Sequence, residues 1–124
     1  MSATSANHWK HLARRPGSIY RQLFIKGTKF AAWQIYCATV DGEGGPGMSP
    51  EETADDHSVP VEAVREAIAY CESDPPELKL DFAYEEALAE AHGENDPNYK
   101  WNPSMRRSLS PEEKATIQRR IYGE

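Results

Sequence analysis

Residues 47–70 read Gly47-Met48-Ser49-Pro50-Glu51-Glu52-Thr53-Ala54-Asp55-Asp56-His57-Ser58-Val59-Pro60-Val61-Glu62-Ala63-Val64-Arg65-Glu66-Ala67-Ile68-Ala69-Tyr70, and this stretch decides the fold. Ser49 has the chemistry of a helix N-cap, Pro50 suits the first helical position, and Glu52 stands three residues after the cap. Together they form a capping box, in which each side chain satisfies an otherwise orphaned backbone donor. The pattern predicts a first helix over Pro50–Asp56, broken by His57-Ser58-Val59-Pro60. A second helix then starts at Pro60 or Val61, with Val61, Val64, Ile68 and Cys71 expected on its buried face. Two helices joined by a short break have the helix-turn-helix outline.

Upstream, Ile19–Lys26 is rich in β-branched and aromatic residues and predicts a strand. Gly27-Thr28 predicts a turn, and Lys29–Ala31 a short returning strand that completes a hairpin. Ala32–Val40 follows as a helix that is apolar nearly all round, with Trp33, Cys37 and Val40 expected inward. The loop Asp41–Gly47 lacks the Gly-Lys-Ser/Thr sequence that a phosphate-binding P-loop requires, so it reads as a connector. Downstream, a helix is expected from Leu78 or Leu80 to His92. Leu80, Ala83, Tyr84, Ala87, Leu88 and Ala91 would form its apolar stripe, with Asp81 off it and Gly93 as its stop. Glu94–Leu109 lacks periodicity and predicts an extended linker. Ser110-Pro111-Glu112-Glu113 repeats the capping chemistry and opens a last helix through Tyr122. The expected fold class is therefore mainly α, with a small N-terminal β-hairpin, a three-helix core and additional C-terminal helices. The expected divisions are a basic arm over 1–16, a core domain over 17–92, and a linker with terminal helix over 93–124.

The 124-residue chain carries a net charge of −6, and that charge is segregated. Residues 1–40 contain six Lys or Arg and no acidic residue, residues 41–96 sum to −15, and residues 97–124 to +3. Such blocks point to surfaces with different partners, or to pairing with one another within a protomer or across a dimer. No apolar run approaches the roughly 20 residues needed to span a bilayer, and the first residues lack a signal-peptide core, so a cytoplasmic protein is expected. Cys37 and Cys71 are expected as reduced thiols on buried helix faces.

Candidate sites follow from charge. The exposed positions of the helix pair are mostly Glu and Asp, which repel phosphates, and leave Arg65 as its single candidate base reader. The better nucleic-acid candidates are Lys10, Arg14 and Arg15 in the arm, and Arg21, Lys26 and Lys29 in the hairpin. Tyr99, Trp101, Met105, Arg106 and Arg107 combine large side chains with arginine, the composition of interface anchors, and are the candidate protein-partner residues. No nucleophile–base pair or metal-ligand spacing is present, so neither catalysis nor a cofactor is expected.

Taken in order, Ile25-Lys26-Gly27-Thr28-Lys29-Phe30, Trp33, Gly47-Met48-Ser49-Pro50-Glu51-Glu52 and Val59–Tyr70 resemble the bacterial family called domain of unknown function 433. The resemblance covers roughly His11 to Tyr70. It implies a homeodomain-like three-helix fold behind a small β-element. It further implies an antitoxin of a type II toxin–antitoxin pair, partnered by a PIN-like ribonuclease toxin. The loop over Gly42–Gly47, Tyr20–Phe24 before the turn, and everything from Gly93 onward depart from the family pattern. Two functions are therefore expected in competition. One is an antitoxin or regulator that acts by protein contact and binds operator DNA as a homo-oligomer, a dimer. The other is an interaction or assembly module with no nucleic-acid role.

Overall fold

Both capping boxes form, and they set the helix starts. The Glu52 amide donates to Ser49 Oγ at 3.0 Å while the Ser49 amide donates to Glu52 Oε1 at 2.9 Å. Ser110 and Glu113 repeat the exchange at 3.1 and 2.9 Å. The computed structural model describes residues 9–42 and 44–123. Its elements are β1 (Leu12–Ala13), β2 (Phe24–Ile25), α1 (Ala32–Thr39), α2 (Pro50–His57), α3 (Val61–Glu72), α4 (Pro76–Ala91) and α5 (Pro111–Tyr122). Two short 3-10 turns, Pro97–Lys100 and Pro103–Met105, precede α5. The protein is mainly helical with a small two-stranded antiparallel sheet near its N-terminus. Two units are distinguishable, one ending at Leu78 and the other starting at Lys79.

In the first unit, α1, α2 and α3 pack on one another as a three-helix core. Ser58 ends α2 in the left-handed region at φ 57°, and its amide reaches the Ala54 and Asp55 carbonyls. The chain is thereby turned within a few residues into α3. Ile35 of α1, Ala54 of α2, and Val64, Ala67 and Tyr70 of α3 share one core cluster with Leu12, Leu23 and Ile25 of the β-element. Gly47 closes the loop from α1 to α2. A Cβ there would overlap the Thr39 carbonyl group and lie 2.6 Å from the Val40 amide nitrogen. The loop is pinned by the Gly47 amide on Asp41 Oδ1 at 2.8 Å and the Met48 amide on the Ala38 carbonyl at 2.8 Å.

Several sequence expectations are corrected. The strand expected over Ile19–Lys26 shrinks to Phe24–Ile25, and its main partner is not the returning segment. Leu12–Ala13 pairs with it, Leu12 opposite Ile25 and Ala13 opposite Phe24. Lys29–Ala31 contributes one isolated bridge, Phe24 with Ala31. Of the expected basic arm, residues 1–8 lie outside the described residues, while the remainder is built into the fold through Leu12, which is fully buried. On α1 the inward residues are Ala32 and Ile35; Val40 is exposed, and so is Cys37, whereas Cys71 is buried. A two-turn helix that is apolar on all sides carries no phase for sequence to read. On α3 the buried face is Ala63, Val64, Ala67, Tyr70 and Cys71. The expected Val61 and Ile68 are only partly buried, because small alanines let α3 approach its neighbours along a rotated face.

In the second unit, Gly93 follows α4 at φ 84°, the left-handed stop expected of it. Leu80, expected in the apolar stripe, is 40% exposed, while Asp81, expected off it, is 1% exposed. Tyr122 explains the inversion: its hydroxyl donates to Asp81 Oδ1 at 2.7 Å, and its ring lies 5.5 Å from that of Tyr84. The expected extended linker is a folded return. The Arg107 amide donates to the His92 carbonyl at 2.8 Å, and His92 Nδ1 lies 2.6 Å from the Arg107 carbonyl oxygen.

Candidate nucleic-acid interface

The segment that follows β1 and the segment that follows β2 both border one depression across the paired strands. The first contributes Arg14 and Arg15, the second Lys26 and, after the Gly27-Thr28 turn, Lys29. These four cations line a groove of about 550 Å³, together with Ala13, Pro16, Phe24 and Ile25. The turn is fixed locally. Thr28 Oγ1 donates to the Ile25 carbonyl at 2.8 Å and accepts from the Phe30 amide at 3.0 Å. Gly27 sits at φ 75°, where a side chain is strained. Arg15 lies over the Phe24 ring, its guanidinium carbon 5.8 Å from the ring centroid, within cation–π range. Among the described residues, none of these four cations forms an ion pair with a carboxylate. The absence of Asp and Glu from residues 1–40 explains how a chain with net negative charge keeps one locally positive hollow.

The groove wall carrying Arg14 and Arg15 is hung on α3 by Glu66. Its carboxylate accepts the His11 amide at 2.8 Å and meets His11 Nδ1 at 2.7 Å. Burial pushes the Glu66 carboxyl up, but the His11 bonds and charge outweigh it and hold the group below its ordinary range. The Lys26 amide donates to the His11 carbonyl at 2.8 Å, so one residue ties both walls of the groove together.

The structure gathers four of the seven nucleic-acid candidates. Lys10, Arg21 and Arg65 do not line the groove. Arg65 pairs with Glu51, which occupies the one candidate base reader of the helix pair. Around that pair Glu52, Asp55, Asp56 and Glu62 are all exposed, so the face the helix-turn-helix outline would offer to DNA is acidic. What sequence reasoning missed is Phe24 beneath Arg15. Its signal was present, since Phe24 and Lys26 share a face of any strand through that stretch.

In the second unit, the candidate partner residues form a bracketed loop. Arg106 Nε donates to Glu94 Oε2 at 3.1 Å, and the His92–Arg107 contacts close the loop base. At its far side Trp101 is 87% exposed, Met105 is 42% exposed, and Tyr99 is partly covered. Among the described residues no group of three or more His, Cys, Asp or Glu side chains is placed to hold a metal, and no helix is long and apolar enough to cross a membrane. No family model, no curated protein and no solved structure matches the chain.

Proposed function

We propose that this protein is a non-catalytic cytoplasmic regulator of the antitoxin type, which grips nucleic acid through the cationic groove and engages a protein partner through residues 99–107. The observation that carries the first part is the convergence of Arg14, Arg15, Lys26 and Lys29 on one groove, where none of them pairs with a carboxylate among the described residues. Positive charge concentrated in a hollow releases counterions from a phosphate backbone, and that release supplies most sequence-independent affinity. The acidic helix pair then serves as the frame for the groove. A dimer would double the cationic surface and present it to a two-fold operator.

The identity of the partner, a PIN-like ribonuclease toxin, rests on the family resemblance. What favours protein contact on this chain is Trp101, a large side chain held in solvent on a pinned loop and flanked by Lys100, Arg106 and Arg107. Aromatic and arginine side chains so displayed act as interface anchors, and an arginine could pair with the carboxylates of an acidic nuclease site. The second reading, an assembly module without a nucleic-acid role, is favoured by this same loop alone.

Titration of labelled upstream duplex at several salt concentrations separates the two. Four phosphate contacts predict a slope of log affinity against log salt of roughly −3.6, falling to about −1.8 in a Lys26→Gln, Lys29→Gln double variant. No binding at low salt would remove the nucleic-acid role. A pull-down from the native host, repeated with Trp101→Ala, tests the partner loop: a small nuclease lost with the substitution supports it.

A further inference from the structure

A groove that met only the outside of a duplex backbone would need cations and little else. This one has more. Its volume of about 550 Å³ falls within the roughly 300–1,000 Å³ of small-molecule sites, which is ample for a nucleoside with its phosphate. Its lining is divided chemically: Ala13, Pro16 and the largely buried Phe24 form the apolar side, while Arg14, Lys26 and Lys29 supply charge. Between the two stands Arg15, resting over Phe24. The ring helps to hold the guanidinium in place through its quadrupole, and an arginine plane is a surface on which bases stack.

We propose that the groove takes a single unstacked nucleotide, its base laid on the Arg15–Phe24 platform and its phosphate held by Arg14, Lys26 and Lys29. This rests on the nucleic-acid reading of the same groove and deepens it. The preferred partner becomes a single strand, a frayed end or a splayed base, rather than the intact duplex. Stacking is tolerant of sequence because every base has a π-face, and the cations supply the salt dependence. The recognised chemistry is a nucleoside phosphate, from a strand or from a free nucleotide.

The test uses the full chain with a labelled mixed-sequence single-stranded oligonucleotide, the matching duplex, and adenosine monophosphate as competitor, all at one salt concentration. The single strand is expected to bind about tenfold or more tighter than the duplex, the equivalent of one stacked base. Arg15→Lys keeps the charge and removes the plane. It should abolish most of that preference and leave the salt slope unchanged. The Lys26→Gln, Lys29→Gln variant should do the reverse, lowering the slope and retaining the preference. Arg15, Lys26 and Lys29 are exposed, and far-ultraviolet dichroism verifies that each variant is folded. Displacement of the oligonucleotide by the mononucleotide assigns the site to free nucleotides, and failure to displace it assigns the site to strands. Duplex binding equal to or tighter than single-strand binding, or an Arg15→Lys variant indistinguishable from the parent, overturns this inference and leaves the groove as a duplex contact. No binding of either nucleic acid overturns both.

Discussion

Replacing Tyr70 by Phe removes one oxygen atom from the centre of the first unit. Tyr70 is 1% exposed. Its hydroxyl donates to Glu77 Oε2 at 2.7 Å and accepts from the Leu23 amide at 3.2 Å, and its ring meets Trp9 edge-on at 5.9 Å. The substitution keeps the ring and its packing, so the cost is confined to polar groups. The buried Leu23 amide loses its acceptor, which costs about 1–3 kcal/mol, and the short bond to the Glu77 carboxylate is worth about 1.5–3 kcal/mol. Glu77 is half-exposed and recovers part of its loss from water. The expected net destabilisation is about 2–3 kcal/mol. Urea unfolding followed by tryptophan fluorescence measures it directly. The midpoint should fall while the slope against denaturant stays constant, since the surface exposed on unfolding is unchanged. A loss below about 0.5 kcal/mol would refute the reasoning, because it would mean that the Leu23 amide finds another partner without the tyrosine.

Gly47→Ala should destabilise the first unit by about 1–3 kcal/mol, seen as a lower melting temperature, because the added methyl has only the Thr39 and Val40 backbone to move. Ser49→Ala should cost about 1 kcal/mol by removing the capping exchange at α2; Ser49→Asp should recover most of it in the same chemical denaturation assay. Acidification should weaken the protein as the pH falls below the ordinary Glu value of 4.5. The folded Glu66 carboxyl is lowered, so its contribution is present above the unfolded value and is lost as pH drops through the folded one. Glu66→Gln should flatten that part of the stability profile. On the alkaline side, burial pushes the Cys71 thiol up to about 12. Its contribution is complete below the ordinary thiol value of 9.0 and is lost as pH rises toward 12, and Cys71→Ala should remove that portion of the alkaline decline.

The parts of the fold legible in sequence were those written in local chemistry. Ser49 with Glu52, Ser110 with Glu113, and Gly93 each satisfy backbone groups within a few residues, so their spacing alone places helix ends. The parts that were not legible depend on segments distant in the chain. Leu12 becomes a strand residue only because Ile25 lies opposite it, 13 positions away. Asp81 is buried because Tyr122 returns from 41 residues further on to bond it. The buried face of α3 lies a fraction of a turn from the one its large residues mark, because small alanines pack closest and hydrophobic spacing gives large residues the greater weight. For the candidate site, the segregation of charge made the cations legible individually. Their assembly into one groove required the β1–β2 pairing, which joins the segment carrying Arg14 and Arg15 to the segment carrying Lys26 and Lys29.

The exposure of Trp101 has a spectroscopic consequence. The chain has three tryptophans. Trp9 and Trp33 are partly buried against the core of the first unit, whereas Trp101 in the second unit stands 87% in solvent. Its emission should therefore lie to the red of the other two and be the first extinguished by iodide. A protein bound at the loop would shift that component to the blue and shield it from the quencher. The unmodified chain thus carries its own optical indicator of whether the loop is occupied.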